Sequence, residues 1–477
     1  MNSSLDSAFH PTSVAVAGAS PGKQGQLFVD SLLASGFKGD VYPINPRGEG
    51  LSDLKGYANV KDVPGPVDYV TCCIPRQAVP QLIRDCAAKG VKVISVFTAG
   101  FSESGTAEGR ELEEEIARLA RACGVRLVGP NCLGVYSPSV GLTYTADFPE
   151  EAGRVAYLCQ SGGNSVYTTR AAAYRGVRFS KVISYGNACD INECELLEYL
   201  VDDEETEIVA VYIEGVKDGP RFVRALSELA KAKPVVVLKG GHTEAGAGAA
   251  ASHTGSLAGS ERVWDELLRQ TGAIRVYSLE ELVDMLTTMY FLPAPQGRRV
   301  GIFGGGGGAT VLATDEWADA GFVLPPLPEE VKDEIRSLVT SEAGLILDNP
   351  VDLSAFAYSE GFYNLVKKLL GYEGFVDISV IHIGFGQAAW FSTSAFDAEI
   401  NFFRDALIKI KSEVDKPLAL VMQYLITGWD WRKGMEDLQV GCAQAGVPVY
   451  YSMASAARAI GRYTGYHERR RALLKNG

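Results

Sequence analysis

At 477 residues, with 47% hydrophobic and 22% charged side chains, the chain has a globular balance but exceeds one ordinary core, so two to four domains are expected. Its net charge of −13 argues against non-specific binding to nucleic acid or to an anionic membrane, though not against a local basic pocket for a phosphorylated ligand. Nine scattered cysteines without C-x-x-C spacing, no apolar run of membrane-spanning length and no secretory pattern in MNSSLDSAFHPTS lead to a cytoplasmic, reduced chain free of structural zinc as the expectation.

In chain order, one pattern occurs three times: a short apolar strand, a glycine-containing turn, then a helix. The copies run from Ser13 to Gly36, from Arg154 to Gly176 and from Arg299 to Gly321. Their starts are about 140 to 145 residues apart, close to one domain each. Each copy reads as the opening strand-turn-helix of a parallel sheet. Further apolar, β-branched runs follow in every third: VYPIN, DYVTCCIP, VKVISVFTAG and VRLVGP; then FSKVISYG, EIVAVYIEG and PVVVLKGG; then DISVIHIGFG, PLALVMQYL and VPVYYS. Amphipathic stretches such as Ala107 to Cys123 separate them. The fold class predicted is α/β, with three Rossmann- or flavodoxin-like parallel-sheet domains in series at 1–148, 149–296 and 297–477. Leu292 to Gly297 is the linker candidate for the second boundary.

The first glycine turn, Gly18-Ala-Ser20-Pro-Gly-Lys23-Gln-Gly25, points backbone N–H groups and a helix N-terminus at one spot, with Lys23 as an added positive charge. The second strand ends in Asn45-Pro46-Arg47, where a dinucleotide enzyme usually carries an acid; an arginine suits an extra phosphate. That disfavours an NAD-dependent dehydrogenase and leaves NADP open on this residue alone. The five glycines Gly304 to Gly308 read equally well as a tight turn.

In the middle third, Ser161-Gly162-Gly163, Ser184 to Asn187 and Tyr212 to Gly215 all fall at strand C-termini, which face one crevice in an open parallel sheet. The loop after the next strand carries His253 within AASHTGSLAG, a run of small residues. A carboxylate (Glu214), a histidine and a helix N-terminus in one crevice suit a phosphohistidine. Glu214 would fix the ring tautomer, and the amides of Ser161 to Gly163 would receive phosphoryl oxygens. A loop histidine bonded to backbone is the plainer reading of the same residue, and His242 is a competitor.

The ordered set VAVAGASPGKQG, YPINP, TAGFSE, GPNCLG, QSGG, YGNACD, YIEGVKDG and KPVVVLKGGHTEAGAGAAASHTGSLAGS resembles the ADP-forming (NDP-forming) acyl-CoA synthetases, relatives of the succinyl-CoA synthetase α subunit. LDNPVDL and GVPVYYSMASAARAI extend the resemblance into the last third. It implies a CoA-binding first domain, with Gly18, Ser20, Lys23, Gly25, Asn45, Arg47, Pro75, Thr98, Ala99 and Gly100 on CoA and Asn131 near the thiol. It also implies His253 as the phosphorylated residue, Glu214 as its support, and Ser161, Gly162, Gly163 and Asn187 around the phosphate. The activity implied is acyl-CoA, phosphate and ADP interconverting with acid, CoA and ATP. The family's ATP-grasp domain has no span left to occupy here, so an ATP-grasp β subunit carrying ADP/ATP and Mg²⁺ is the expected partner in a hetero-oligomer. Two departures stand out: Ala188-Cys189 where the family usually has Lys-x, and Gly163-Asn164 where Ala-Leu-like residues are common. They leave a CoA-binding regulatory or scaffold subunit as the rival reading. The acid is not specified; Trp390, Phe391 and Phe396 are candidates for its pocket or for plain core.

Overall fold

The computed structural model describes residues 3–246, 248, 260–304, 307–338, 346–352, 360–372, 374–384, 393–414, 416–423 and 432–476. The chain forms two compact units, Met1–Ala173 with Val177–Leu282, and Tyr174–Gly176 with Val283–Gly477. The fold is α/β, and the described residues hold three sheets dominated by parallel pairs.

The first unit opens with helix α1 (Ser3–Phe9) and then a sheet of β1 (Ser13–Ala17), β2 (Asp40–Ile44), β3 (Tyr69–Cys72), β4 (Val93–Val96) and β5 (Arg126–Val128). The order is β2-β1-β3-β4-β5, all parallel. This is the flavodoxin-like order, which places the switch point between β1 and β3. β1, β3 and β4 are buried along their whole length, as strands covered by helices on both faces must be. Helices α2 (Gln24–Ala34), α3 (Val79–Lys89) and α4 (Ala107–Cys123) supply that cover. The Thr106 hydroxyl caps α4 by accepting from the Gly109 amide.

The second sheet has β6 (Gly134–Tyr136), β7 (Val155–Cys159), β8 (Phe179–Ser184), β9 (Ile208–Ile213), β10 (Val235–Lys239) and β11 (Ile274–Val276), in the order β11-β10-β9-β7-β8-β6. Without β6 this is the same order again, with the switch point between β7 and β9. β6 pairs antiparallel with β8, so the chain enters this sheet ahead of Phe148-Pro149. Helices α5 (Gly162–Tyr174), α6 (Glu193–Asp202) and α7 (Gly219–Ala232) flank it. In the second unit β12 (Val300–Gly304), β13 (Ile378–Gly384), β14 (Leu418–Gln423) and β15 (Val449–Tyr450) pair in parallel in that order, around a core that includes Phe303, Ile381, Leu420 and Val449. Among the described residues, no helix is long and apolar enough to cross a membrane.

Charge ties the first two sheets together. Arg126 Nη1 and Nη2 donate to the Glu195 carboxylate at 2.8 and 2.7 Å, and its Nε donates to Asp190 at 2.9 Å. Asp190 also accepts from the Leu127 amide at 2.9 Å. Both carboxylates are largely buried, so loss of Arg126 would strand them at a cost of about 3–5 kcal/mol.

The sequence reading assigned no element before Ser13, yet α1 docks on the second sheet's flank. Phe9 packs on Tyr199 with ring centroids 4.9 Å apart, and the Tyr199 hydroxyl donates to Asp6 at 3.0 Å. His10 Nε2 lies 3.2 Å from Glu205, whose carboxylate is 3.0 Å from the fully buried Lys181 ammonium. The hydrogen bond to Glu205 raises the His10 pKa, and the same bond with Lys181 lowers Glu205 to about 2. The His10 contribution is therefore complete below its ordinary value of 6.5 and fades as pH rises through its elevated one. The Glu205 contribution is complete above 4.5 and fades as pH falls toward about 2. The gap in Tm between the wild type and His10→Ala should thus be widest between these limits and shrink in mildly alkaline buffer. A gap that widens with rising pH would contradict this assignment.

Candidate active site

At the first switch point the turn after β1 meets the ends of β3 and β4. A Cβ on Gly18, whose φ is +94°, would sit 2.5 Å from the Cys73 carbonyl oxygen, and one on Gly25 would sit 2.4 Å from the Gly18 oxygen. Only glycine lets α2 start this close to the strand ends. Ser20 is half-buried, and Lys23 is exposed at the N-cap of α2. Asn45 acts inward: its Nδ2 donates to the carbonyls of Ala19 (2.9 Å) and Glu49 (2.8 Å), and its Oδ1 accepts from the amides of Arg47 and Glu49. It braces the turn from behind. Arg47 is 80% exposed and pairs with Glu49 at 3.2 Å.

At the second switch point Gln160, at the end of β7, bridges to β9. Its Oε1 accepts from the amides of Glu214 at 2.6 Å and Gly215 at 3.2 Å. Ser161 Oγ accepts from the Asn164 amide at 3.4 Å, capping α5, so the helix N-terminus falls at Gly162-Gly163. Glu214 is 6% exposed, and Tyr212 donates to its Oε1 at 3.2 Å. A Cβ on Gly240, just past β10, would lie 2.7 Å from the Tyr212 hydroxyl and 3.4 Å from Glu214 Cγ. The chain therefore leaves β10 directly beside this carboxylate. Beside it the buried Lys239 ammonium is pushed down by desolvation, while the Glu214 charge pushes it back up. His253 lies outside the described residues, as do Trp390, Phe391 and the side chain of Phe396. His242 is exposed, its ring centroid 6.2 Å from that of Tyr277.

The two switch points share one cavity of about 580 Å³. Pro75, Thr98, Ala99 and Asn131 line it from the first sheet's side, and Ser161, Gly162 and Gly163 from the second's. A pocket with one wall of strand-end loops and another at a helix N-terminus suits a ligand that carries an anionic group beside an extended neutral arm. Gln24, from the turn Gly18–Gly25, also lines it, together with Cys73, Ile74, Phe97, Cys132, Leu133 and Gln160, which the sequence reading gave no individual role. Three of them sit within the GPNCLG and QSGG stretches, which were the available signal. Burial pushes the Cys132 thiol up to about 12 and Cys73 higher still, so neither offers a thiolate nucleophile near neutral pH.

Asn131 is held by a second loop. It has φ +56°, its amide donates to Thr98 O at 3.1 Å, and its Nδ2 donates to Asn187 Oδ1 at 3.4 Å. The Asn187 and Cys189 amides donate to the carbonyls of Pro130 and Gly129, each at 2.9 Å. The Asn187 Nδ2 donates to Glu113 at 2.8 Å and to Ser102 at 3.2 Å. Asn187 thus spends its side-chain donors on the first sheet's periphery. Gly100, at φ +98°, lies against Arg76, which donates to its carbonyl.

Residues 12–138 match the family "CoA binding domain", and residues 152–289 match "Succinyl-CoA ligase like flavodoxin domain". The acetate–CoA ligase [ADP-forming] II subunit alpha of Pyrococcus furiosus is 39% identical over 369 residues, 77% of this chain and 79% of that protein. The acetate–CoA ligase [ADP-forming] of Methanocaldococcus jannaschii is 38% identical over 355 residues, 74% of this chain but 49% of that longer protein. Among solved structures, the "dinucleotide forming Acetyl-coenzyme A synthetase 1" of Ca. Korarchaeum cryptofilum, in complex with phosphate and ADP, superposes with a TM-score of 0.82. It is 31% identical, and the match covers 99% of this chain and 98% of that one.

Proposed function

The chain belongs to the ADP-forming acyl-CoA synthetase family, with which it shares its α-type subunit architecture, and from that premise we propose a three-step phosphoryl relay. Phosphate attacks the acyl-CoA carbonyl carbon, the C–S bond breaks, and acyl phosphate and CoA form. His253 then attacks phosphorus, the acyl-oxygen–phosphorus bond breaks, and the carboxylic acid leaves. ADP takes the phosphoryl group from the histidine to give ATP, and the reverse order makes the thioester. CoA lies along the turn Gly18–Gly25, Pro75 and Thr98 to Gly100, with its thiol toward Asn131. The amides at Ser161–Gly163 receive the phosphoryl oxygens, and Glu214 orients His253. Lys23 and Arg47, both exposed near the first turn, meet the phosphorylated end of CoA.

The observation that carries this reading is the shared cavity, which joins a CoA-type first wall to a helix N-terminus. ADP/ATP and Mg²⁺ are assigned to an ATP-grasp counterpart in a hetero-oligomer, since the longer relative extends well beyond the part this chain matches, which is 49% of its length. Each of the proposed domains 1–148, 149–296 and 297–477 holds one sheet, apart from β6. The test is CoA release from acetyl-CoA by the chain assembled with its nucleotide-binding counterpart. Release should require phosphate and ADP and be matched by ATP formed. Release independent of phosphate would overturn the relay, and CoA binding without any turnover would favour the scaffold reading.

A further inference from the structure

Resting on that reading, we infer that Lys217 is a positioning residue: from the connection between β9 and α7 it clamps the loop Gly186–Asp190 and, through it, sets Asn131 in the cavity. The loop carries no cation of its own, yet it receives one. The Lys217 ammonium donates to the carbonyls of Asn187 at 2.8 Å and Ala188 at 3.2 Å, and stands 3.9 Å from the Glu113 carboxylate. Ala188 is buried and has φ +52°, a left-handed conformation that a residue with a Cβ keeps only when its surroundings enforce it. Lys217 supplies part of that enforcement, because its two carbonyl acceptors flank the strained residue.

The loop transmits the constraint by close backbone approach. A Cβ on Gly186 would lie 2.2 Å from Pro130 O and 2.4 Å from Asn131 O, so the two loops stack with no side chain between them. The paired amides of Asn187 and Cys189 fix their register against Pro130 and Gly129. Asn131, itself left-handed, then faces the cavity with its side chain on Asn187. Movement of the 186–190 loop must therefore move the cavity wall at Asn131.

The test compares wild type, Lys217→Met and Lys217→Arg in the full chain assembled with its nucleotide-binding counterpart. Lys217→Met should lower kcat for phosphate-dependent acetyl-CoA cleavage by about 10- to 100-fold, the scale of a misplaced contact, with KM for CoA changed less than about threefold. Lys217→Arg, whose fork also reaches two carbonyls, should return kcat to within about threefold. Hydrogen exchange on the chain alone supplies the readout that does not depend on turnover. Amides in 129–132 and 186–190 should exchange at least about tenfold faster in Lys217→Met and at the wild-type rate in Lys217→Arg. Unchanged exchange overturns the inference whether or not the wild type is active. Faster exchange with kcat within twofold of an active wild type overturns it too. An inactive wild type counts against the proposed relay alone, and exchange then decides the clamp.

Discussion

His253→Asn should lower the complete conversion of acyl-CoA, phosphate and ADP to acid, CoA and ATP by at least about 10⁴-fold, while the first step survives. In the relay, histidine is needed only after acyl phosphate exists. In the proposed relay, phosphate attack on the thioester takes place at Asn131 and the amides at Ser161–Gly163, all of which the substitution leaves in the sequence. Acyl phosphate should then accumulate and be trapped by hydroxylamine at a rate within about tenfold of the wild type. Asparagine keeps the small, polar character of the position and lacks the ring nitrogen that bonds to phosphorus. Terminally labelled ATP, supplied with Mg²⁺ and the counterpart subunit, should give an acid-labile phosphoprotein in the wild type and none in the variant. His242→Asn is the control: that ring is exposed against Tyr277, and its loss should leave the label in place. Labelled phosphoprotein in His253→Asn, or full turnover within tenfold of the wild type, would remove His253 from the reaction.

What sequence alone revealed follows from which interactions are local. The three strand-turn-helix units were legible because their signals are contiguous, and they appear as β1 with α2, β7 with α5, and β12 with helix Gly307–Asp319. Strand order was not legible, since parallel pairing joins residues tens of positions apart, and the turn of β6 into the second sheet involves only three residues. The wall residues Pro75, Thr98, Ala99 and Asn131 and the turn Ser161–Gly163 were named in advance and converge on one cavity. Asn45 and Asn187 show what motif reading misses: both stand in the expected stretches, yet their side chains hold other loops. The amide partner of Asn187 lies on α4, beyond the reach of any spacing rule. The helix α1 went unseen because seven residues with a weak pattern form a helix only by docking on Tyr199, which packs on Phe9 and donates its hydroxyl to Asp6.

Glu214→Gln should slow phosphorylation of His253 by about 10²- to 10⁴-fold, the range for losing an anionic partner of a catalytic imidazole. When one ring nitrogen attacks phosphorus, positive charge develops on the ring, and a carboxylate on the other N–H stabilises it and holds the reactive tautomer. The proposed role of Glu214 rests on its setting: it follows β9 directly at the switch point, Gln160 clamps its amide, and Tyr212 donates to one carboxylate oxygen. Glutamine keeps the volume and the backbone clamp, so the fold and CoA affinity should stay as they are while the charge is gone. A glutamine amide, whose oxygen or NH₂ can face the ring, also no longer dictates a single tautomer. Tyr212→Phe, which removes one hydrogen bond to the carboxylate and leaves the charge, should cost no more than about tenfold. Rapid-quench measurement of phosphohistidine formation separates these effects from CoA binding. A Glu214→Gln rate within about threefold of the wild type would show that the histidine is oriented by some other group.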